Sequence, residues 1–469
     1  MLISREMLER VEIEVRGDWD EWLSLVTIDS RAVESGCLFW ALPGSKKHGQ
    51  DFVENAFAAG AKIVAVERKW ADAHSPVLTG KAHFVMKDTL KGLQNLAREI
   101  RGSVGAQVLA ITGSNGKTTT KELAAAALET AGTTSASQGN YNNHIGLPLT
   151  LLNLKGDEAF VVLEMGANHV GEIAALCEIG HPELGLITNI GDAHVGEFGG
   201  YAKLQMAKGE LFDFLGANDS LAVVNLDDPK VVQESRKVPR KVGYTLHEAG
   251  GSWTGSIYQG RIVERDAWSR TTFEVDGLKA KLRLPGSHWT SLALGAFAAA
   301  MEMGVDPSLA MASISAVEPL EGRGHILDLG DGIELLDDAY NANKASIVSV
   351  LETLSKRPGK RIAVLGDILE LGEWEEEEHR KIGQLKSLAT IDRVYFVGKR
   401  MALAAEEAEQ AGHAGVVKVY EDEVVDLSNR IVKELESGAG VIVKGSRLMG
   451  LDRVVKGLTD LRSVAGGKR

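Results

Sequence analysis

The sequence predicts an α/β protein of three domains: a small N-terminal α/β unit, a central mostly parallel sheet built around a glycine turn, and a C-terminal Rossmann-like sheet. Three observations predict it. A chain of 469 residues is too long for a single hydrophobic core. Short buried-type apolar runs alternate with helical stretches through the centre and the C-terminal third, the pattern of parallel sheets. Finally, the turn Thr112-Gly113-Ser114-Asn115-Gly116-Lys117-Thr118-Thr119-Thr120 lies between the apolar run 108–111 and an alanine-rich helix predicted over 121–131. The expected units span residues 1–84, 85–315 and 316–469.

Composition bounds the function. A hydrophobic fraction of 44% and a charged fraction of 25% belong to a globular protein. No apolar run reaches the roughly 20 residues that span a bilayer, and residues 1–10 are too charged for a signal peptide, so no membrane insertion and a cytoplasmic location are expected. Two cysteines, Cys37 and Cys177, make neither a disulfide framework nor a zinc site. A net charge of −13 argues against nonspecific nucleic-acid binding, so an anionic ligand must be held by local groups.

In the N-terminal unit, Asp29-Ser30-Arg31 precedes Gly36 and the polar loop 44–51. A helix over 52–59, ended by Gly60, leads into a strand over 62–66. The basic loop beside Arg31 can hold a diphosphate or be an ordinary solvated turn; composition fits both. A helix over 88–101 joins this unit to the next.

At the glycine turn, backbone N–H groups and a helix N-terminus can converge on a polyphosphate, with Lys117 on its β- and γ-phosphates and the Thr118 hydroxyl on Mg²⁺. The general eight-residue phosphate loop would require glycine at position 111, which is Ile111 here. An ordinary strand-to-helix turn is the alternative.

Strands follow over 160–163, 184–190 and 221–224. Glu164 and His194 lie just past carboxyl ends of strands, the edge at which ligands gather in open α/β sheets, and can contact Mg²⁺ or phosphate. Alone, each is more often a helix cap or a hydrogen-bonded loop residue. In a helix over 201–214, Leu204, Lys208, Leu211 and Leu215 share one face, which places an ammonium among apolar residues. A lysine there snorkels to solvent, pairs with a carboxylate, or stays neutral and adds CO₂ to give a metal-binding carbamate.

Alternation over 252–284 predicts antiparallel strands appended to the sheet, and Pro285-Gly286-Ser287-His288 opens an apolar helix over 291–303. In the third unit, strands are expected over 333–336, 361–365, 393–397, 416–419 and 441–443. No Gly-x-Gly-x-x-Gly follows them, which disfavours a dinucleotide. The run 373–378 reads as an acidic, solvated helix start.

The chain resembles the Mur ligase family. The resemblance rests on 112–120, Asn140-Tyr141-Asn142-Asn143-His144-Ile145-Gly146-Leu147-Pro148, Glu164-Met165-Gly166, 189–194 and Ala207-Lys208-Gly209-Glu210. It extends to Asp338-Ala339-Tyr340-Asn341-Ala342-Asn343, Gly366-Asp367-Ile368-Leu369-Glu370-Leu371-Gly372 and Lys444-Gly445-Ser446-Arg447. It implies an ATP-dependent amide-bond-forming ligase working through an acyl phosphate. Its later motifs resemble the branch that joins D-alanyl-D-alanine to UDP-N-acetylmuramoyl-tripeptide in peptidoglycan synthesis.

By that resemblance ATP is held by Gly113, Ser114, Asn115, Gly116, Lys117, Thr118 and Thr119, with Arg323 on the phosphates and Asp338 on the ribose. Thr118 and Glu164 hold one Mg²⁺, and His194 with carbamylated Lys208 supports a second; Lys117, His194 and Lys208 form the catalytic set. Asn142 and Asn143 face the phosphate and substrate side, while Ser30, Arg31 and Lys46 take the uridine diphosphate. Two departures stand out: Leu292 replaces an Asn near the adenine, and Lys344 replaces the Pro after the Asn-Ala-Asn run. The alternatives are another Mur-type or a folylpolyglutamate-type ligase, or an ATP-dependent switch that hydrolyses without ligating. A monomer is the default.

Overall fold

The computed structural model describes residues 3–19, 23–44, 46–191, 195–248, 253–420 and 423–466. Among them are three sheets, and the strand His83–Met86 of the first runs past the expected boundary at 84. The first orders its strands Glu14–Arg16, His83–Met86, Ile63–Glu67, Leu38–Trp40, Val26–Thr27. Its first pair is antiparallel and the rest parallel. Asn153 of the central unit clasps its edge, taking the Val26 N–H at 2.8 Å and donating to the Val26 carbonyl at 3.1 Å.

The central sheet has nine strands. Thr134–Ala136, Phe160–Glu164, Gln107–Thr112, Leu184–Ile187, Leu221–Asn225, Lys241–Thr245 and Ile257–Arg265 run parallel, and Thr271–Val275 and Leu278–Lys281 extend them as an antiparallel meander. The strand expected over 184–190 stops at Ile187 because the chain turns to brace the glycine turn: the Thr188 hydroxyl donates to the Asn115 carbonyl at 2.6 Å. The following helix, Lys117–Leu128, begins earlier than 121. Threonines are poor helix formers, yet Thr120 satisfies its hydroxyl by bonding back to the Gly116 carbonyl at 2.9 Å, so the helix absorbs them.

The third sheet orders His325–Asp328, Glu334–Asp338, Gly440–Lys444, Arg361–Gly366, Arg393–Val397, Val416–Val419, all parallel after the first, antiparallel pair. The acidic run is not wholly solvated. Its helix is Glu375–Gly383, and Glu378 is 1% exposed, ion-paired to Lys344 at 2.6 Å and to Lys381 at 2.7 Å. A second buried cluster fixes the C-terminal sheet to the central unit. The Trp268 indole donates to Glu334 at 2.9 Å, while Arg357 stacks 4.1 Å above the ring and pairs with Glu334 at 2.6 Å. This seam brings the carboxyl ends of the central and C-terminal strands to opposite walls of one cavity.

Candidate functional site

The cavity, of about 490 Å³, is walled by the glycine turn and by Asn140, Asn142, Glu164, Asn189 and Asp228 on the central side. Gly322, Arg323, Asp338, Tyr340, Asn343 and Lys444 close the C-terminal side. The turn needs its glycines. Gly113 has φ +143°, and a Cβ there would lie 1.9 Å from the Thr188 Oγ1; Gly116 has φ +78°, and its Cβ would lie 2.2 Å from Leu292 Cδ1. Gly113→Ala is expected to cost about 1–3 kcal/mol of stability and to remove polyphosphate binding. Denaturant unfolding with and without added ADP measures both; a variant as stable and as well bound as the parent would contradict the need for glycine.

Two loop amides do not face a ligand. Ser114 N–H donates to the Asn189 carbonyl at 2.9 Å and Asn115 N–H to Asn189 Oδ1 at 3.0 Å, which leaves the first amides of the helix Lys117–Leu128 as the N-terminal donors without a partner among the described residues. Lys117 Nζ lies on the Gly113 carbonyl at 2.8 Å. Burial holds its ammonium below the usual lysine range; Glu164 opposes that shift and Arg323 adds to it.

Glu164 is 2% exposed. One carboxylate oxygen accepts from Asn142 Nδ2 at 2.9 Å, and the other is buried with no hydrogen-bond partner among the described residues. A buried anionic oxygen with nothing on it is costly, and a divalent cation shared with the neighbouring Thr118 hydroxyl is a donor set of the right kind. Asp338 meets Lys444 Nζ at 2.5 Å; burial raises its carboxyl, against the pull of Lys444 and Arg323. The side chain of Arg323 stacks on Tyr340 at 4.0 Å. His288, Trp289 and Leu292 line the same cavity as an aromatic and apolar patch. The exposed His288 ring places Nδ1 2.6 Å from the Ser349 hydroxyl.

Lys208 lies on the helix Tyr201–Ala217 and is 3% exposed. It neither snorkels nor, among the described residues, pairs with a carboxylate; its Nζ sits 5.3 Å over the Phe198 ring. Burial and then the charge of Lys117 lower it to about 7, so near neutrality the amine is available as a nucleophile.

The structure does not gather every expected residue here. His194 lies outside the described residues. Asn143 is exposed, and its side-chain oxygen accepts the Ile145 and Gly146 N–H groups at 3.0 and 2.9 Å in the turn that leads into the helix Gly146–Leu152. Ser30, Arg31 and Lys46 belong to the N-terminal unit away from the cavity lining; the exposed Arg31 is paired with Asp29 at 2.7 Å. Conversely, Lys444, Asn343, Asn189 and Asp228 line the cavity without having been singled out as site residues. Lys444 ends the strand Gly440–Lys444, a position the strand-end rule marks. Asn189 follows the end of the strand Leu184–Ile187 and Asn343 closes a motif that carries the family resemblance, whereas Asp228 shows no such signal.

Three family profiles match the chain in order: "Mur ligase family, catalytic domain" over residues 23–101, "Mur ligase middle domain" over 111–300 and "Mur ligase, glutamate ligase domain" over 322–447. The UDP-N-acetylmuramoyl-tripeptide--D-alanyl-D-alanine ligase of Escherichia coli (strain K12) is 34% identical over 448 residues, 94% of this chain and 95% of that protein. Among solved structures, MurF from Acinetobacter baumannii matches with a TM-score of 0.83 at 26% identity, over 97% of this chain and 98% of that one. The MurF ligase from Thermotoga maritima in complex with ADP matches with a TM-score of 0.79 at 26% identity, over 95% and 100%.

Proposed function

Because the chain belongs to the Mur ligase family, we propose that it is an ATP-dependent ligase joining D-alanyl-D-alanine to UDP-N-acetylmuramoyl-tripeptide, giving the UDP-pentapeptide precursor of peptidoglycan. The observation that carries the site assignment is the buried, half-satisfied Glu164 carboxylate at the foot of a glycine turn that also presents Lys117. An acidic oxygen without a partner beside a lysine and a helix N-terminus suits a nucleotide polyphosphate with its cation.

A carboxylate is a poor acylating agent because oxide is a poor leaving group. In the proposed reaction the tripeptide carboxylate attacks the γ-phosphorus, the bond to the leaving ADP oxygen breaks, and an acyl phosphate forms. The dipeptide amine then attacks the acyl carbon, loses a proton, and inorganic phosphate leaves. In-line transfer of this kind needs positioned charge more than covalent help. Lys117 and Arg323 supply cations at the phosphates, and Asp338, held by Lys444, offers a carboxylate to the ribose. His288 with Trp289 and Leu292 offers a flat, apolar seat for the base; this serves in place of the Asn that Leu292 replaces. Mg²⁺ would draw negative charge from the transferring phosphoryl group when bound. Thr118 and Glu164 would hold one ion, and Lys208 as its carbamate, with His194, would support a second. Closing of the C-terminal unit over the nucleotide would keep out the water that destroys an acyl phosphate.

We assign the N-terminal unit, 1–84, to the uridine diphosphate through Ser30, Arg31 and Lys46, with Asn142 and Asn143 on the substrate side; 85–315 and 316–469 are the nucleotide and closing units. We place the protein in the cytoplasm as a monomer. Its two buried cysteines are free, and among the described residues no helix is long and apolar enough to cross a membrane. Hydroxylamine supplied in place of the dipeptide tests the mechanism: interception as a hydroxamate with one ADP released per hydroxamate supports the acyl phosphate. ADP release without hydroxamate would favour the hydrolytic switch.

A further inference from the structure

We propose that the ion pair between Lys344 and Glu378 is a positioning device that holds Asn343 on the phosphate loop and so sets the affinity of the nucleotide pocket. This rests on the reading of the cavity as a nucleotide site.

Asn343 is the N-cap of the helix Lys344–Ser355. Its Oδ1 accepts the Ser346 N–H at 2.9 Å, and its own N–H donates to Ser346 Oγ at 3.0 Å, a reciprocal cap that ties the side chain to the first turn of the helix. The remaining group, Nδ2, crosses between the domains and donates to Oδ1 of Asn115 in the glycine turn. Where that donor points is therefore decided by how firmly the first turn is fixed.

Lysine at the first helical position brings no backbone restraint of its own. Here its Nζ reaches Glu378 at 2.6 Å, and Glu378 lies buried on the separate helix Glu375–Gly383 with its other oxygen on Lys381 at 2.7 Å. Burial would raise the Glu378 carboxyl, but the two lysines together hold it below the usual range, so the anchor is charged at neutral pH.

The anchoring helix is itself fixed against the central domain. The ring of buried His379 accepts the Ile368 N–H at 3.1 Å, and the loop that follows lies against the other domain: a Cβ on Gly196 would fall 2.5 Å from the Leu371 carbonyl carbon. Lys344 thus links two interdomain contacts, Asn343 on Asn115 and Leu371 on Gly196.

Proline offers a test of the route. It fixes its own φ near the helical value and is well accepted at the first helical position, and Asn343, at φ −144° and ψ 169°, already has the extended backbone that suits a residue before proline. Lys344→Pro should therefore replace the ion pair with a covalent restraint.

The experiment is ADP binding by calorimetry, with steady-state KM values for all three substrates. Lys344→Met and the isosteric Glu378→Gln are each expected to weaken ADP and raise the KM for ATP about tenfold. The other two KM values should stay within about twofold, and Lys344→Pro should bind ADP as the parent does. Unchanged ADP binding in both Lys344→Met and Glu378→Gln overturns the proposal, as does Lys344→Pro falling with Lys344→Met, or all three KM values rising together. Lys117→Ala is the control for the underlying reading. If the parent does not bind ADP, or Lys117→Ala binds it equally well, the nucleotide site itself is wrong; if Lys117→Ala loses ADP and Lys344→Met does not, only the positioning role fails.

Discussion

Lys117→Ala is expected to lower kcat/KM by about 10³-fold or more while leaving the fold intact. The side chain fills a place in the cavity wall rather than in a core cluster, and its ammonium donates to the Gly113 carbonyl at 2.8 Å. Little folding energy depends on it. Its ammonium, by contrast, is the cation the glycine turn itself presents to the cavity. Far-ultraviolet circular dichroism and a melting curve establish that the variant is folded; a folded variant that ligates at a substantial rate would remove the phosphate-loop assignment.

The second large effect is expected at Lys208. Lys208→Ala should be inactive, falling by about 10²–10³-fold, in line with loss of a group that stabilises transition-state charge. Short carboxylates such as acetate or formate should restore part of the activity by occupying the space and charge of the carbamate. The argument is physical: an amine 3% exposed, over a Phe198 ring and without a carboxylate partner among the described residues, is an expensive thing to keep for packing alone. A leucine or methionine would fill that volume at less cost. Full activity of Lys208→Ala without additives would make the lysine structural.

Local pattern carried most of the fold. The strands Arg393–Val397 and Val416–Val419 coincide with their predicted bounds, because short β-branched runs between polar residues leave no alternative reading. Lys208 was legible as buried for the same reason: its spacing with Leu204, Leu211 and Leu215 places it on one face whatever the tertiary context. The site was legible where chemistry follows local sequence, as at the glycine turn and at Glu164 on its strand end. It was not legible where two distant segments meet. Asn343 and Asn115 are 228 residues apart, and the Glu378 that looked like part of a solvated acidic run is buried by Lys344 from another helix. Nothing in either segment alone signals these pairings. Likewise the amides of Ser114 and Asn115 look available in sequence, but Asn189 takes both once the strand Leu184–Ile187 ends beside them.

The central claim is that cleavage of ATP is coupled to joining an acid and an amine. Its most direct test is ADP release with Mg²⁺, ATP, UDP-N-acetylmuramoyl-tripeptide and D-alanyl-D-alanine, each omitted in turn, with the product weighed by mass spectrometry. Steady ADP release that requires both substrates, with a UDP-pentapeptide as product, is the predicted result. Release that proceeds equally well without the dipeptide, or with no new amide in the product, would contradict it.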